Sequence, residues 1–160
     1  MIVRIAMSRR IAARPEPIRA VIADYHDGHR RIVPPRVFKW LAVDKGGVGD
    51  GTEMRFAMRL LGSTRVTRGI VTEPDPGRTI VETYPETGVV TTFIIEPIGA
   101  TESVVTIATD MPVPGGPLGK VQGFLTGRVL RPLYVEELQR LADIVEGRRQ
   151  HDPVPTHPGA

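Results

Sequence analysis

The stretch GPLGKVQGFLTGRVLRPLYVEELQRLADIVEG, residues 116–147, decides how the rest of the chain is read. Within it Leu118, Val121, Leu125, Val129, Leu133, Leu138, Leu141 and Val145 recur at three-, four- or five-residue steps. That spacing predicts one long helix with a single apolar stripe. At about 1.5 Å per residue it spans roughly 40 Å, more than a domain of this size needs for its own closure. Pro132 removes a backbone donor and crowds the carbonyl four residues back, which predicts a kink between Arg128 and Pro132. A helix of this length laid over a sheet leaves space between the layers, and such a space holds a ligand.

Upstream, the period is two. Val3, Ile5 and Met7 alternate with Arg4, Ala6 and Ser8, predicting a half-buried strand to about Ala13. Pro15 suits a first helical turn and Glu16 its positive end, so a short helix carrying Ile18, Val21 and Ile22 is expected to end near Tyr25. A second helical piece is expected between His26 and the Pro34-Pro35 pair. Strands follow at 37–45, 53–60, 64–72, 79–84, 89–96 and 103–109, separated by turn signals such as Pro74-Asp75-Pro76-Gly77 and Pro85-Glu86-Thr87-Gly88. Evenly spaced strands on short turns predict an antiparallel meander. After Gly147, the tail RRQHDPVPTHPGA has three prolines and no periodicity. It divides the chain into a folded domain, 1–147, and an expected disordered tail, 148–160.

At 160 residues, with 41% apolar and 24% charged residues, the chain suits one globular domain with its own core. There is no cysteine, which excludes disulfides and thiolate metal sites. No stretch is long and apolar enough for a signal peptide or a membrane span, so the expected location is the cytoplasm without membrane insertion. The net charge of +3 comes from arginines scattered along the chain, a solvated basic surface rather than a nucleic-acid footprint.

The segment 11–18, IAARPEPI, followed by Ala23-Asp24-Tyr25, looks like a strand-to-helix junction of the START/Bet v 1 helix-grip superfamily, whose bacterial members are called polyketide cyclase/dehydrase or SRPBCC proteins. Val48-Gly49-Asp50-Gly51-Thr52 resembles that family's hairpin before the third strand. The segment 71–78, VTEPDPGR, resembles its turn between the fourth and fifth strands. The resemblance runs from Val3 to about Glu146. It implies an α+β fold: a seven-stranded antiparallel sheet wrapped around a long C-terminal helix, with two short helices after the first strand. It also implies an apolar pocket between sheet and helix for a lipid, polyketide or aromatic metabolite. Some members perform acid–base chemistry there and others only bind or carry, with no shared catalytic motif.

Nucleotide and metal signals are weak. GGVGDG, residues 46–51, lacks G-x-G-x-x-G spacing and precedes a strand, so a hairpin turn is expected. The segment 115–121, GGPLGKV, is one residue short of a P-loop and has Val121 where a magnesium-binding hydroxyl belongs. Asp24, His26, Asp27 and His29 are the densest group of potential metal ligands, but a third ligand must come from elsewhere, Glu136 or Glu137 for example. No metal and no cofactor is expected. Asp24 is read as a cap for the second helical piece.

In the strand 53–60, Met54, Phe56 and Met58 oppose Glu53, Arg55 and Arg59. If the apolar set faces inward it forms a pocket wall; a one-residue slip would instead send Arg55 and Arg59 toward an anionic ligand. The residues expected to contact ligand are Trp40, Met54, Phe56, Met58, Phe93, Ile107, Leu125, Val129 and Leu133. Tyr25, His29 and Tyr84 are the candidates for general acid–base work on an enolisable ketone, the step that cyclisation requires. The alternatives are a carrier of lipid or metabolite without chemistry, and a partner-binding module; a monomer or a homodimer suits each.

Overall fold

In the computed structural model, residues 1–159 are described. The element order is β1 (Ile2–Ile11), α1 (Pro15–Ile22), α2 (Gly28–Ile32), β2 (Phe38–Lys45), β3 (Glu53–Leu60), β4 (Ser63–Asp75), β5 (Thr79–Tyr84), β6 (Val89–Ile98), β7 (Glu102–Pro112) and α3 (Gly116–Val145). The strands form one sheet in the order β1-β7-β6-β5-β4-β3-β2, every neighbouring pair antiparallel. The two helices after β1 and the long C-terminal helix make this the α+β helix-grip architecture expected from the sequence. Strands β4, β6 and β7 run longer than expected, reaching Asp75, Ile98 and Pro112. In β4, five of the first six residues are exposed, yet each meets a partner in β3.

The core is built from the inward positions of the strands and the C-terminal half of α3. Ile5, Ile11, Met54, Ile80, Ile95 and Ile107 are at most 1% exposed, and Leu133, Leu138 and Leu141 close over them from the helix. The N-terminal half of α3 packs differently from the expected stripe. Gly119, Gly123 and Gly127 are its buried residues, whereas Leu118, Val121, Phe124 and Leu125 stand 55–68% exposed. Glycine lets the helix backbone approach β1 closely: a Cβ on Gly123 would meet Val3 Cγ2 at 2.8 Å. The helix stays continuous through Pro132.

The tail departs from expectation most. Its described residues, 148–159, carry no helix or strand but are held against the body. Val154 N–H donates to the Arg30 carbonyl (2.9 Å) and Leu41 N–H to the Pro155 carbonyl (2.8 Å), while the Arg30 guanidinium donates to the Val154 carbonyl. Arg31 donates to the His151 carbonyl (2.8 Å), and the His151 ring meets Asp143 at 3.0 Å. Val154 is 2% exposed. Donors on α2 and the free edge of β2 substitute for the periodicity the tail lacks.

Candidate functional site

The loop 46–51 is the expected hairpin turn, and it also sets the position of Tyr25. Tyr25 N–H donates to the Gly47 carbonyl (2.8 Å), and Gly49 N–H donates to the Ala23 carbonyl (2.9 Å). Gly49 has φ +63°, a conformation that favours glycine, and a Cβ there would strike the Glu73 carboxylate paired with Arg19. Asp24 accepts from the backbone of His26 (3.1 Å), Asp27 (3.3 Å) and Gly28 (3.4 Å), so it wraps the turn that leads into α2. That turn sends His26 outward to the Gly46 carbonyl and His29 inward, which separates the two histidines.

Between the sheet and α3 lies a cavity of about 220 Å³. Its apolar wall includes Met54, Phe56 and Met58 of β3, Phe93 of β6, Ile107 of β7 and Leu133 of α3, with Leu130 and Val33. The apolar face of β3 therefore turns inward, while Arg55 pairs outside with Asp44 (2.7 Å) and Arg59 is exposed. Three expected contacts lie elsewhere. Trp40 sits under the Arg55 guanidinium (5.9 Å) and does not line the cavity. Leu125 is on the exposed side of α3, and the half-buried Val129 is also outside the lining. The glycine face of the helix turned both away.

The polar groups of the cavity converge on a residue not singled out in the sequence, Glu82. Tyr25 Oη donates to Glu82 Oε1 (2.6 Å), and Tyr84 Oη donates to Glu82 Oε2. His29 Nε2 lies 3.3 Å from Glu82 Oε1. The other ring nitrogen, Nδ1, is 2.7 Å from the Ile22 carbonyl. A carbonyl only accepts, so Nδ1 carries a proton and Nε2 is the nitrogen turned to Glu82 and the cavity. The imidazole is clamped by stacking on Tyr25 (4.3 Å between centroids) and by the edge of Phe93 (5.5 Å). Thus Tyr25, His29 and Tyr84 meet around one carboxylate, with His29, Glu82 and Tyr84 lining the cavity and Tyr25 behind them at 0% exposure.

A second polar line crosses the cavity wall. Thr91 Oγ1 and Thr109 Oγ1 are 2.8 Å apart, and Thr109 Oγ1 is hydrogen-bonded to Tyr134 Oη of α3. One turn beyond Tyr134, Glu137 also lines the cavity, 5% exposed.

Burial governs the electrostatics. It pushes the Tyr25 and Tyr84 phenols well above their ordinary value, with the Glu82 charge adding to the effect, so both remain neutral donors at neutral pH. Burial pushes Tyr134 up to about 12, against the opposing hydrogen bond with Thr109. Burial also raises the Glu137 carboxyl well above the usual carboxylate range, again assisted by Glu82.

Glu82 and Glu137 had a signal in the sequence. Glu82 falls between Ile80 and Tyr84 on one face of β5, and Glu137 is in phase with Leu133 and Leu141 on α3. An acid at an inward position is costly to bury and therefore informative.

Against this geometry, residues 3–146 match the family model described as polyketide cyclase / dehydrase and lipid transport. The chain belongs to this family. Among solved structures it is similar to the KanY protein at 25% identity, covering 92% of this chain and 99% of that one, TM-score 0.79. It is also similar in fold to the Zhui aromatase/cyclase from a Streptomyces species (18% identity, 92% and 96% covered, TM-score 0.69). A START superfamily protein from Mycobacterium smegmatis shares the fold at 17% identity, with 92% and 99% covered and a TM-score of 0.68. No curated protein matches the sequence. No helix among the described residues is long and apolar enough to cross a membrane.

Proposed function

We propose that this polyketide cyclase/dehydrase family member binds a compact apolar or aromatic molecule in the cavity beneath α3 and moves a proton on it. The observation that carries this reading is the convergence of Tyr25, His29 and Tyr84 on buried Glu82 at the wall of a mainly apolar cavity. An engineered cavity of about 150 Å³ holds a benzene ring. The 220 Å³ here thus suits one substituted ring or two fused rings, rather than an extended chain or a sterol.

For an enolisable ketone, His29 Nε2 takes a proton from the carbon next to the carbonyl. The C–H electron pair becomes the C=C bond of an enolate, and the carbonyl π electrons move to oxygen. Glu82 lies beside the resulting imidazolium. Tyr25 and Tyr84 hold the Glu82 carboxylate in place, and Ile22 holds the ring through Nδ1–H. Return of the proton at the same or another carbon completes an isomerisation, or precedes the loss of water or a ring closure.

The ligand is a hydrophobic small molecule rather than a nucleic acid, the working location is the cytoplasm, and the protein acts as a monomer or homodimer. A carrier without chemistry is the second reading. It is favoured by the mutual pairing of Tyr25, Tyr84 and Glu82, which leaves few of their polar groups free for a guest.

The test is exchange of the methyl protons of 2-acetylnaphthalene in heavy water, followed by NMR with and without protein. The acid–base reading expects the wild type to accelerate exchange over buffer and His29→Leu to lose that acceleration while still binding the ketone. Tight binding with exchange no faster than buffer leaves the carrier reading standing and removes the chemistry.

A further inference from the structure

Glu137 is the one cavity-lining carboxyl that the chain does not use for itself. Glu82 receives two phenol hydrogen bonds and faces His29. Its neighbour on the helix, Glu136, pairs with Arg36 (2.8 Å). Glu137 makes no side-chain hydrogen bond and no ion pair among the described residues, although it is 5% exposed and opens onto the cavity. An acid set on a mostly apolar wall without a protein partner is costly to keep unless something in the cavity meets it. Nor is it there to fill space, because a leucine or methionine would complete the same wall as Leu130 and Leu133.

We propose that Glu137 is the hydrogen-bond donor for a ligand's carbonyl oxygen, and that the cavity therefore selects a small uncharged aromatic ketone or aldehyde. The proposal rests on the reading of the cavity as a ligand site and adds the ligand's polar end and its orientation. Burial and the facing Glu82 keep the Glu137 proton on, so the group presents an O–H rather than a negative charge. His29 and Glu82 reach the cavity from α2 and β5, whereas Glu137 reaches it from α3. A flat ketone set between these layers has its oxygen at Glu137 and the adjacent C–H toward His29 Nε2. When the proton leaves for His29, charge accumulates on the oxygen that Glu137 already contacts. A donor in place before the reaction stabilises that charge without reorganising.

The experiment measures binding of 2-acetylnaphthalene and of 2-ethylnaphthalene, which has the same skeleton without the oxygen, by fluorescence titration. It is run on the wild type, Glu137→Met and Glu137→Gln, each checked for folding by circular dichroism. The wild type is expected to favour the ketone by about tenfold, the equivalent of one net hydrogen bond. Glu137→Met brings that ratio close to one. Glu137→Gln, whose amide still donates, keeps an intermediate ratio. The infrared carbonyl band of the bound ketone is expected at lower frequency in the wild type than in Glu137→Met. A ketone preference unchanged in Glu137→Met overturns the proposal and leaves the cavity reading intact. Stronger binding of 2-naphthylmethylamine than of the ketone also overturns it, because Glu137 would then act as an anion. If the wild type binds none of these probes, the cavity reading falls and takes this proposal with it.

Discussion

Glu82 accepts hydrogen bonds from two phenols on separate elements, the buried Tyr25 after α1 and the half-buried Tyr84 on β5. Replacing it by glutamine leaves one of those phenols facing an N–H group, and a buried unpaired donor costs about 1–3 kcal/mol. Glu82→Gln is accordingly expected to lower the denaturation midpoint in urea, and an unchanged midpoint would show that the two phenols find other partners. Glu137 gives a pH signature of the opposite origin. Its carboxyl is raised in the folded chain, so between the ordinary carboxyl value and the raised one the folded state binds more protons than the unfolded state. Its contribution is therefore most favourable below about pH 4.5 and declines as pH rises through that interval. Burial raises the carboxyl most, then the Glu82 charge, with Arg140 opposing and Glu136 adding a little. The difference in melting temperature, Glu137→Gln minus wild type, is expected to grow between pH 5 and pH 8; a flat difference contradicts a protonated Glu137. Asp143 works in the other direction. Its hydrogen bond with His151, then those with Gln139 and Arg148, hold it down at about 2. The stability it contributes is present above its unfolded value of 3.8 and is lost as pH falls toward about 2.

At the scale of elements, α3 consists of two halves with different packing logic. The C-terminal half buries Leu133, Leu138 and Leu141 in the manner its periodicity predicts. The N-terminal half buries Gly119, Gly123 and Gly127 instead, so a stripe traced through large apolar residues points to the wrong face there. Hydrophobicity locates a buried face when side chains do the packing, but it is silent when the backbone itself makes the close approach. Leu125 and Val129 accordingly lie outside the cavity lining, whereas Leu133 is part of it. Gly123→Leu is expected to cost about 1–3 kcal/mol through the clash with Val3, whereas Leu125→Ala changes stability by less than about 0.5 kcal/mol. Thermal denaturation of the two variants checks the contrast, and equal effects would contradict a glycine-faced contact. The strands were far more legible, because alternation with one face buried leaves little freedom in which side chains point inward. Met54, Phe56 and Met58 followed that rule. Glu82 did as well, at an inward position of β5 between Ile80 and Tyr84.

For the whole molecule, long-range hydrogen bonds explain what the sequence left open. The tail was unreadable because its order resides in its partners: Arg30 and Arg31 on α2, Leu41 on β2 and Asp143 on α3. The same α2 carries His29, so the tail braces the element that delivers the imidazole to the cavity. Val154→Asp places a charge at a site 2% exposed and is expected to destabilise the fold by about 1–3 kcal/mol, measured by denaturant unfolding. The family and architecture could be read from strand spacing, turn residues and the long helix together. The polar cluster at the cavity could not, because Tyr25 and His29 come from the region of α2, Glu82 from β5 and Glu137 from α3, and only the fold brings them to one place. The most direct test of a guest beneath α3 is isotope-filtered NMR of the protein with 2-acetylnaphthalene. Intermolecular NOEs from the ring protons to the methyl groups of Met54, Met58 and Leu133 are expected. NOEs confined to Leu118, Val121 and Leu125 on the outer face of the helix, with none to those three methyl groups, would contradict a cavity site.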